Sequence, residues 1–147
     1  MNKDLAPDYR KMLEGIQLVN VVCSRANYTR EASCSEIRDY KKKGFEILRA
    51  AFEPGYNIQD DVLEVPVAYK ITIKGGKRSL AIFEFQYEVV FSIRDRNVLD
   101  SGLEDKEIRD FFIGYQMEKF VWSFLRSALA DACSKLGIEN VILPMKL

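Results

Sequence analysis

Between Phe83 and Arg94 the chain alternates. Phe83, Phe85, Tyr87, Val89, Phe91 and Ile93 are apolar, and Glu84, Gln86, Glu88, Val90, Ser92 and Arg94 between them are mostly polar. A period of two sustained this long predicts a half-buried strand across Leu80–Asp95, and Phe, Tyr, Val and Ile suit a pleated surface. Just upstream, Val65, Val67, Tyr69, Ile71 and Ile73 alternate with Pro66, Ala68, Lys70, Thr72 and Lys74 before Gly75-Gly76. Glycines at a tip permit the positive φ that hairpin turns need. Leu63–Lys74 and Leu80–Asp95 are therefore expected to form one long antiparallel hairpin. Pro66 cannot donate to a ladder, so the strand is bulged there or its edge faces outward.

An aromatic sheet face needs a cover. Met117, Phe120, Val121, Phe124, Leu125, Ala128, Leu129, Ala132, Cys133 and Leu136 follow the i, i+3, i+4, i+7 spacing of one apolar helical stripe. Gly137 stands where a helix terminator belongs. The expected class is α+β: an antiparallel sheet built on a long hairpin, with a long amphipathic helix covering one face.

Other segments carry weaker patterns. Asp4–Gly15 reads as a short helix with Tyr9, Met12 and Leu13 on its apolar side, and Ile16–Cys23 as a strand. Ser24–Gly44 is polar without a clean period and reads mostly as loop, with a short helix around Ser35–Lys42. Phe45–Glu53 satisfies both periods imperfectly; bracketed by Gly44 and Pro54-Gly55, its length favours a strand. Pro54–Asp61 is a turn-rich connection that carries Tyr56 and Ile58. Arg96–Gly102 reads as a polar turn and Leu103–Tyr115 as a short helix with an acidic start. Gly114 divides that helix from the main one. The tail Ile138–Leu147 reads as an extended apolar segment.

With 147 residues, one domain spanning 1–147 is expected. The 22 basic and 22 acidic residues cancel, which removes the electrostatic footprint of a nucleic-acid binder. No apolar run approaches a membrane span, and MNKDLAPDYR lacks the apolar core of a signal peptide, so a cytoplasmic location is expected. Cys23, Cys34 and Cys133 are odd in number and lack metal-ligand spacing, which fits structural thiols in a reducing compartment. There is no histidine, so the commonest general base and metal ligand are missing.

Catalytic constellations do not emerge. Glu84 and Glu88 share a solvated strand face, Asp60-Asp61 lie in a turn, and KGGK has neither the length nor the ending of a phosphate loop. No enzyme activity and no cofactor are expected. The back of the main helix, by contrast, carries Trp122, Ser123, Arg126, Ser127 and Ala130. Small residues at helical spacing admit a second helix, and an exposed Trp with an Arg is a typical interface anchor. These five are the expected oligomer interface.

The order of elements from Asp60 onward resembles the SecB family of cytosolic export chaperones, which hold unfolded polypeptides. Asp60-Asp61-Val62-Leu63-Glu64-Val65 opens the hairpin, Phe91-Ser92-Ile93 ends it, and a short helix, a long amphipathic helix and an apolar Ile142-Leu143-Pro144 segment follow. Trp122-Ser123-Phe124-Leu125-Arg126 matches the family's aromatic-Pro-Tyr-x-Arg signature without the proline. Ile16–Glu53 matches in element order alone. Family members continue into a further helix and an acidic tail that engages the export ATPase SecA, and this sequence reaches Leu147 without them.

The resemblance implies a dimer of dimers with the main helices between subunits. It also implies apolar, aromatic client grooves, assigned here to Phe52, Tyr56 and Ile58, with Leu63 and Trp122 contributing. The expected function is that of an ATP-independent holdase in protein export or toxin–antitoxin control. Its expected partners are unfolded or partly folded polypeptides, SecA or an antitoxin, and further copies of itself in a homodimer or homotetramer; neither nucleic acid nor membrane insertion is expected. Two readings from other classes remain: a small-molecule-binding or hot-dog-like enzyme domain, and a structural assembly subunit. A pocket with converging polar groups favours the enzyme, and open apolar grooves favour the holdase.

Overall fold

The computed structural model of the chain describes residues 6–43, 46–51 and 55–138. Helix α1 (Ala6–Glu14) leads into strand β1 (Ile16–Arg30), helix α2 (Cys34–Lys43) and strands β2 (Glu46–Ala51), β3 (Asn57–Gln59), β4 (Val62–Gly75) and β5 (Arg78–Ile93). Helices α3 (Arg96–Glu104) and α4 (Lys106–Phe111) follow, and a π-helical turn (Phe112–Gln116) joins α4 to the long helix α5 (Met117–Lys135). Four strands lie in the order β1-β5-β4-β2, with β3 paired to β4. The β2 and β3 ladders on β4 are antiparallel, with Ala51 opposite Tyr69 and Ile58 opposite Leu63.

The β4–β5 hairpin forms as its alternation demands. Leu63, Val65, Tyr69, Ile71 and Ile73 on β4, and Phe83, Phe85, Tyr87, Val89 and Phe91 on β5, are all buried. Gly76 turns the tip with φ +61. Pro66 falls between the stretch of β4 that pairs with β3 (Val62–Glu64) and the stretch that pairs with β2 (Tyr69–Lys74). Its missing donor therefore sits where, among the described residues, that edge has no partner strand.

The fold divides into two compact units. One is built from residues within Met1–Val22, Glu53–Val67 and Tyr87–Val121. Its core is aromatic: Phe91 lies 5.7 Å from Phe112 and 6.0 Å, edge-on, from Phe120. Asp95 caps α3 by accepting from the Val98 amide, and Asp105 caps α4 by accepting from the amides of Glu107 and Ile108. Arg96–Gly102, read from sequence as a turn, is thus helical. Arg96 and Asp100 form an ion pair of 2.9 Å, while Leu99 and the following Leu103 turn inward. Gly114 does not break the chain of helices; the backbone widens into the π turn there instead. α1 closes this unit, with Tyr9 and Met12 buried, and burial pushes the Tyr9 phenol up to about 12.

The other unit is built from residues within Cys23–Phe52, Ala68–Gln86 and Trp122–Leu147. Ser33 and Glu36 form a reciprocal capping box at the start of α2: Ser33 Oγ accepts from the Glu36 amide, and Glu36 Oε1 accepts from the Ser33 amide. Glu36 also pairs with Arg78 at 2.9 Å. The Ser33 amide, followed by the Arg78 guanidinium and the Ser33 hydroxyl, holds the Glu36 carboxyl below the usual carboxylate range despite an opposing desolvation. The Tyr40 ring lies so close over Gly75 that a Cβ there would collide with it. A Schellman motif ends α5: Gly137 has φ +76, and the Ile138 amide donates to the Cys133 carbonyl. Gly137 therefore terminates the helix as its position predicts.

One expectation fails along β1. The strand continues through Ser24–Arg30, which the sequence presents as loop. The Glu31 amide donates to the Leu80 carbonyl and Ser24 Oγ to the Gln86 carbonyl, so this stretch runs along β5. β1 is an edge strand exposed at nearly every position, and a strand wetted on both faces carries no alternation to read. Phe45, Phe52 and the Ile138–Leu147 tail beyond its first residue lie outside the described residues.

The thiols test the core. Cys23 and Cys34 are exposed and Cys133 is buried, and burial pushes the Cys133 thiol up to about 11. A thiol reagent at pH 8 should modify the first two quickly and Cys133 only under denaturant, as counted by mass spectrometry.

Candidate functional site

Gly55, Tyr56, Arg109, Asp110 and Ile113 border a cleft of about 320 Å³. The β3–β4 connection fixes one wall. Asp60 takes φ +55, a conformation open to a short polar side chain, and so makes a tight return. The pairing of Ile58 with Leu63 then holds the segment that carries Tyr56. Tyr56 is 42% exposed. The other wall is α4 and the π turn. There Arg109 is tethered by its guanidinium, which donates to the Leu103 carbonyl at 3.2 Å, while Ile113 supplies an apolar floor.

The same helical segment carries two further aromatic residues, outside those that line the cleft. The Phe111 ring lies 4.9 Å from that of Tyr115. Tyr115 is 46% exposed, with the Lys119 ammonium 4.6 Å from its centroid. The π turn inserts an extra residue into the helical ladder here.

The residues expected from the sequence divide. Tyr56 lines the cleft, and Ile58 is half-buried beside it in sequence. Leu63 is fully buried and belongs to the core: its odd register puts it on the covered sheet face. Phe52 lies outside the described residues. The sequence does not single out Arg109, Asp110 and Ile113, and nothing in their spacing points to the segment around Tyr56.

Trp122 is a correction. It is only 5% exposed and packs edge-on against Tyr69 at 6.5 Å, so it is not an exposed anchor on the back of α5. The exposed aromatic is Phe124, at 49%, beside exposed Ser123, Ser127 and Ala130, with Arg126 half-buried. The apolar stripe is real but rotated. Its centre runs through Met117, Val121, Leu125, Leu129 and Ala132, leaving Phe124 on the exposed flank.

Among the described residues no group of three His, Cys, Asp or Glu side chains could hold a metal, and no helix is long and apolar enough to cross a membrane. No family model and no curated protein matches the sequence. Among solved structures, the chain superposes on the SecB-like chaperone of Mycobacterium tuberculosis, solved in complex with a ChAD peptide from the HigA1 antitoxin. The TM-score is 0.73, over 97% of this chain and 99% of that one, at 12% identity. The fold is SecB-like. A protein of unknown function from Streptococcus agalactiae aligns at a TM-score of 0.42 and 8% identity, over 88% of this chain and 97% of that one.

The SecB-like fold is thus reached with little shared sequence, and the burial of individual residues is what distinguishes core from surface. Trp122→Ala should cost about 3–5 kcal/mol of stability, the usual penalty for emptying a large aromatic site. Phe124→Ala should leave the thermal midpoint nearly unchanged. Melts of the two variants side by side check the assignment.

Proposed function

We propose that this protein is an ATP-independent holdase that binds unfolded or partly folded polypeptides, with the cleft at Tyr56 as part of its client surface. The observation that carries the reading is the chemistry of that surface. Tyr56 and Ile113 offer aromatic and aliphatic area to a cleft within a SecB-like fold. Aromatic rings pack adaptably without demanding a particular hydrogen-bond pattern, as a binder of many sequences requires.

The enzyme reading needs polar groups converging on a reacting atom. At this cleft Arg109 gives one N–H to the Leu103 carbonyl, and among the described residues Asp110 is the one carboxylate that lines it. Of the two settings for a holdase, toxin–antitoxin control is the better supported, because the superposed chaperone was solved with an antitoxin peptide. Export through SecA is the alternative. A reducing cytoplasm suits the exposed thiols of Cys23 and Cys34.

The client test is direct. The protein should suppress aggregation of an unrelated denatured protein without nucleotide. Tyr56→Ser with Ile58→Ser should weaken client binding by about 1–2 kcal/mol for each apolar side chain removed, while the thermal midpoint barely moves. Lack of protection at several-fold excess of this protein counts against the holdase. A collapse of the midpoint would instead make these two residues core.

We propose further that the chain assembles as a homodimer or homotetramer. Two surfaces suit self-association. One is the flank of α5 with Phe124, Ser123, Ser127 and Ala130. The other is β1, the edge strand of the sheet, whose Ile16–Cys23 half has no charged residue and leaves Val19 63% exposed. Two distinct isologous surfaces are what a dimer of dimers needs. Phe124→Arg should shift the mass in solution toward smaller species with the fold intact, as read by light scattering. A wild-type monomer at micromolar concentration would overturn the assembly.

A further inference from the structure

The charges that cancel over the whole chain do not cancel within its two units. Residues within Met1–Val22, Glu53–Val67 and Tyr87–Val121 include 8 Lys and Arg against 15 Asp and Glu, a net charge of −7. Residues within Cys23–Phe52, Ala68–Gln86 and Trp122–Leu147 include 14 against 7, a net charge of +7. The cleft at Tyr56 lies wholly in the acidic unit. The basic unit thus carries a charge that the client surface does not use.

Two segments distant in sequence concentrate that charge. α2 carries Arg38 and ends in Lys41-Lys42-Lys43, and the β4–β5 tip carries Lys74, Lys77 and Arg78. Tertiary contacts fix one against the other. Tyr40 of α2 lies over Gly75 of the tip, and Ile37 is buried. Glu36 pairs with Arg78 at 2.9 Å, and Arg78 Nη2 donates to the Glu31 carbonyl at 3.3 Å. Glu31 Oε1 accepts from Ser79 Oγ at 2.6 Å. Glu31, Glu36 and Arg78 are thus engaged in holding helix to tip. Arg38 and Lys77 are exposed, and among the described residues neither side chain has an ion pair. Asp39 on α2, and Glu46, which faces Lys74 across the β2–β4 ladder, offset part of this charge. A basic helix end fixed beside a second basic segment raises the local potential above what either produces alone.

We propose that the surface formed by α2 and the β4–β5 tip docks an acidic segment of a partner polypeptide. This docking is independent of the holdase reading. Ammonium groups meet Asp and Glu carboxylates as point charges, without a fixed geometry, so a short segment with several carboxylates suffices. A nucleic acid is the poorer fit. It gains affinity phosphate by phosphate along a continuous basic track, and Asp39 and Glu46 interrupt this one. Single strands also need rings on which to stack, and the Tyr40 ring is already packed over Gly75. Exposed charges govern association rate and partner choice more than affinity, so the docking is fast, weak and sensitive to salt.

The test uses the full chain and a fluorescein-labelled probe peptide, Gly-Asp-Glu-Glu-Asp-Glu-Gly, which has no apolar side chain to offer the cleft at Tyr56. Fluorescence polarisation should show saturable binding at low salt that weakens about ten-fold between about 0.05 M and about 0.3 M ionic strength. Arg38→Glu with Lys77→Glu should weaken binding about ten-fold. Lys106→Glu with Lys119→Glu reverses as much charge in the acidic unit and should leave the affinity within about two-fold. Carbodiimide coupling on the wild type should join the peptide to Lys77 and to the run Lys41-Lys42-Lys43, as read by mass spectrometry. Absence of saturable binding at low salt overturns the docking surface. Equal losses from the two double variants do so as well, since net charge alone then accounts for binding. Coupling confined to other lysines overturns it too. A thymidine oligonucleotide that binds more tightly than the peptide at equal salt overturns it in favour of a nucleic acid. The coupling map needs no variant, so it decides the matter even if Arg38→Glu with Lys77→Glu does not fold. None of these outcomes bears on the holdase reading, which aggregation suppression decides.

Discussion

The odd-numbered face of the β4–β5 hairpin must be kept dry, and the rest of the molecule answers to that demand. Ten large apolar side chains on two strands point the same way and are buried. Each side chain taken from water contributes roughly 1.5–3 kcal/mol. α5 meets the demand with its own stripe. In one unit Phe120 lies over Phe91, and in the other Trp122 lies over Tyr69. The even-numbered face of β5 is half-exposed and carries the polar residues, as the exposed side of a two-faced antiparallel sheet does.

This division explains what the sequence disclosed. The hairpin, the long helix and its glycine stop were legible because burial on one side imposes a period that solvent on the other does not erase. β1 was legible only as far as Cys23: an edge strand wetted on both faces has no reason to alternate, and Ser24–Arg30 looks like loop. Two further signals are local. Ser33 and Glu36 have the three-residue spacing of a capping box, and Asp95 and Asp105 stand immediately before the helices they cap. Side-chain caps are short-range, so these boundaries are marked in the sequence even where hydrophobic periodicity misses them.

The candidate site was legible in part. Tyr56 and Ile58 stand out as large apolar groups on a turn-rich segment, and Tyr56 does line a cleft. The far wall was hidden because Arg109, Asp110 and Ile113 meet it through tertiary approach. Trp122 and Phe124 show the limit of helical wheels. Two residues separate them by about 200° around the axis, and an uncertainty of half that in the orientation of the stripe exchanges core for surface. Composition suggests burying either one. The site beside Tyr69 took the larger indole, and the phenylalanine was left outside.

The π turn between α4 and α5 acts as a phase shifter. Each residue advances a helix by about 100°, so the extra residue in Phe112–Gln116 sets the azimuth at which Met117 and Val121 emerge. Gly114 is exposed, with nothing within 4 Å of where a Cβ would stand, so a small side chain fits there. Its omission is a different matter. Shortening the segment by one residue would convert the wide turn to an ordinary one and rotate Met117 and Val121 from their buried positions. Tolerance to exchange and intolerance to deletion therefore coincide at a single position.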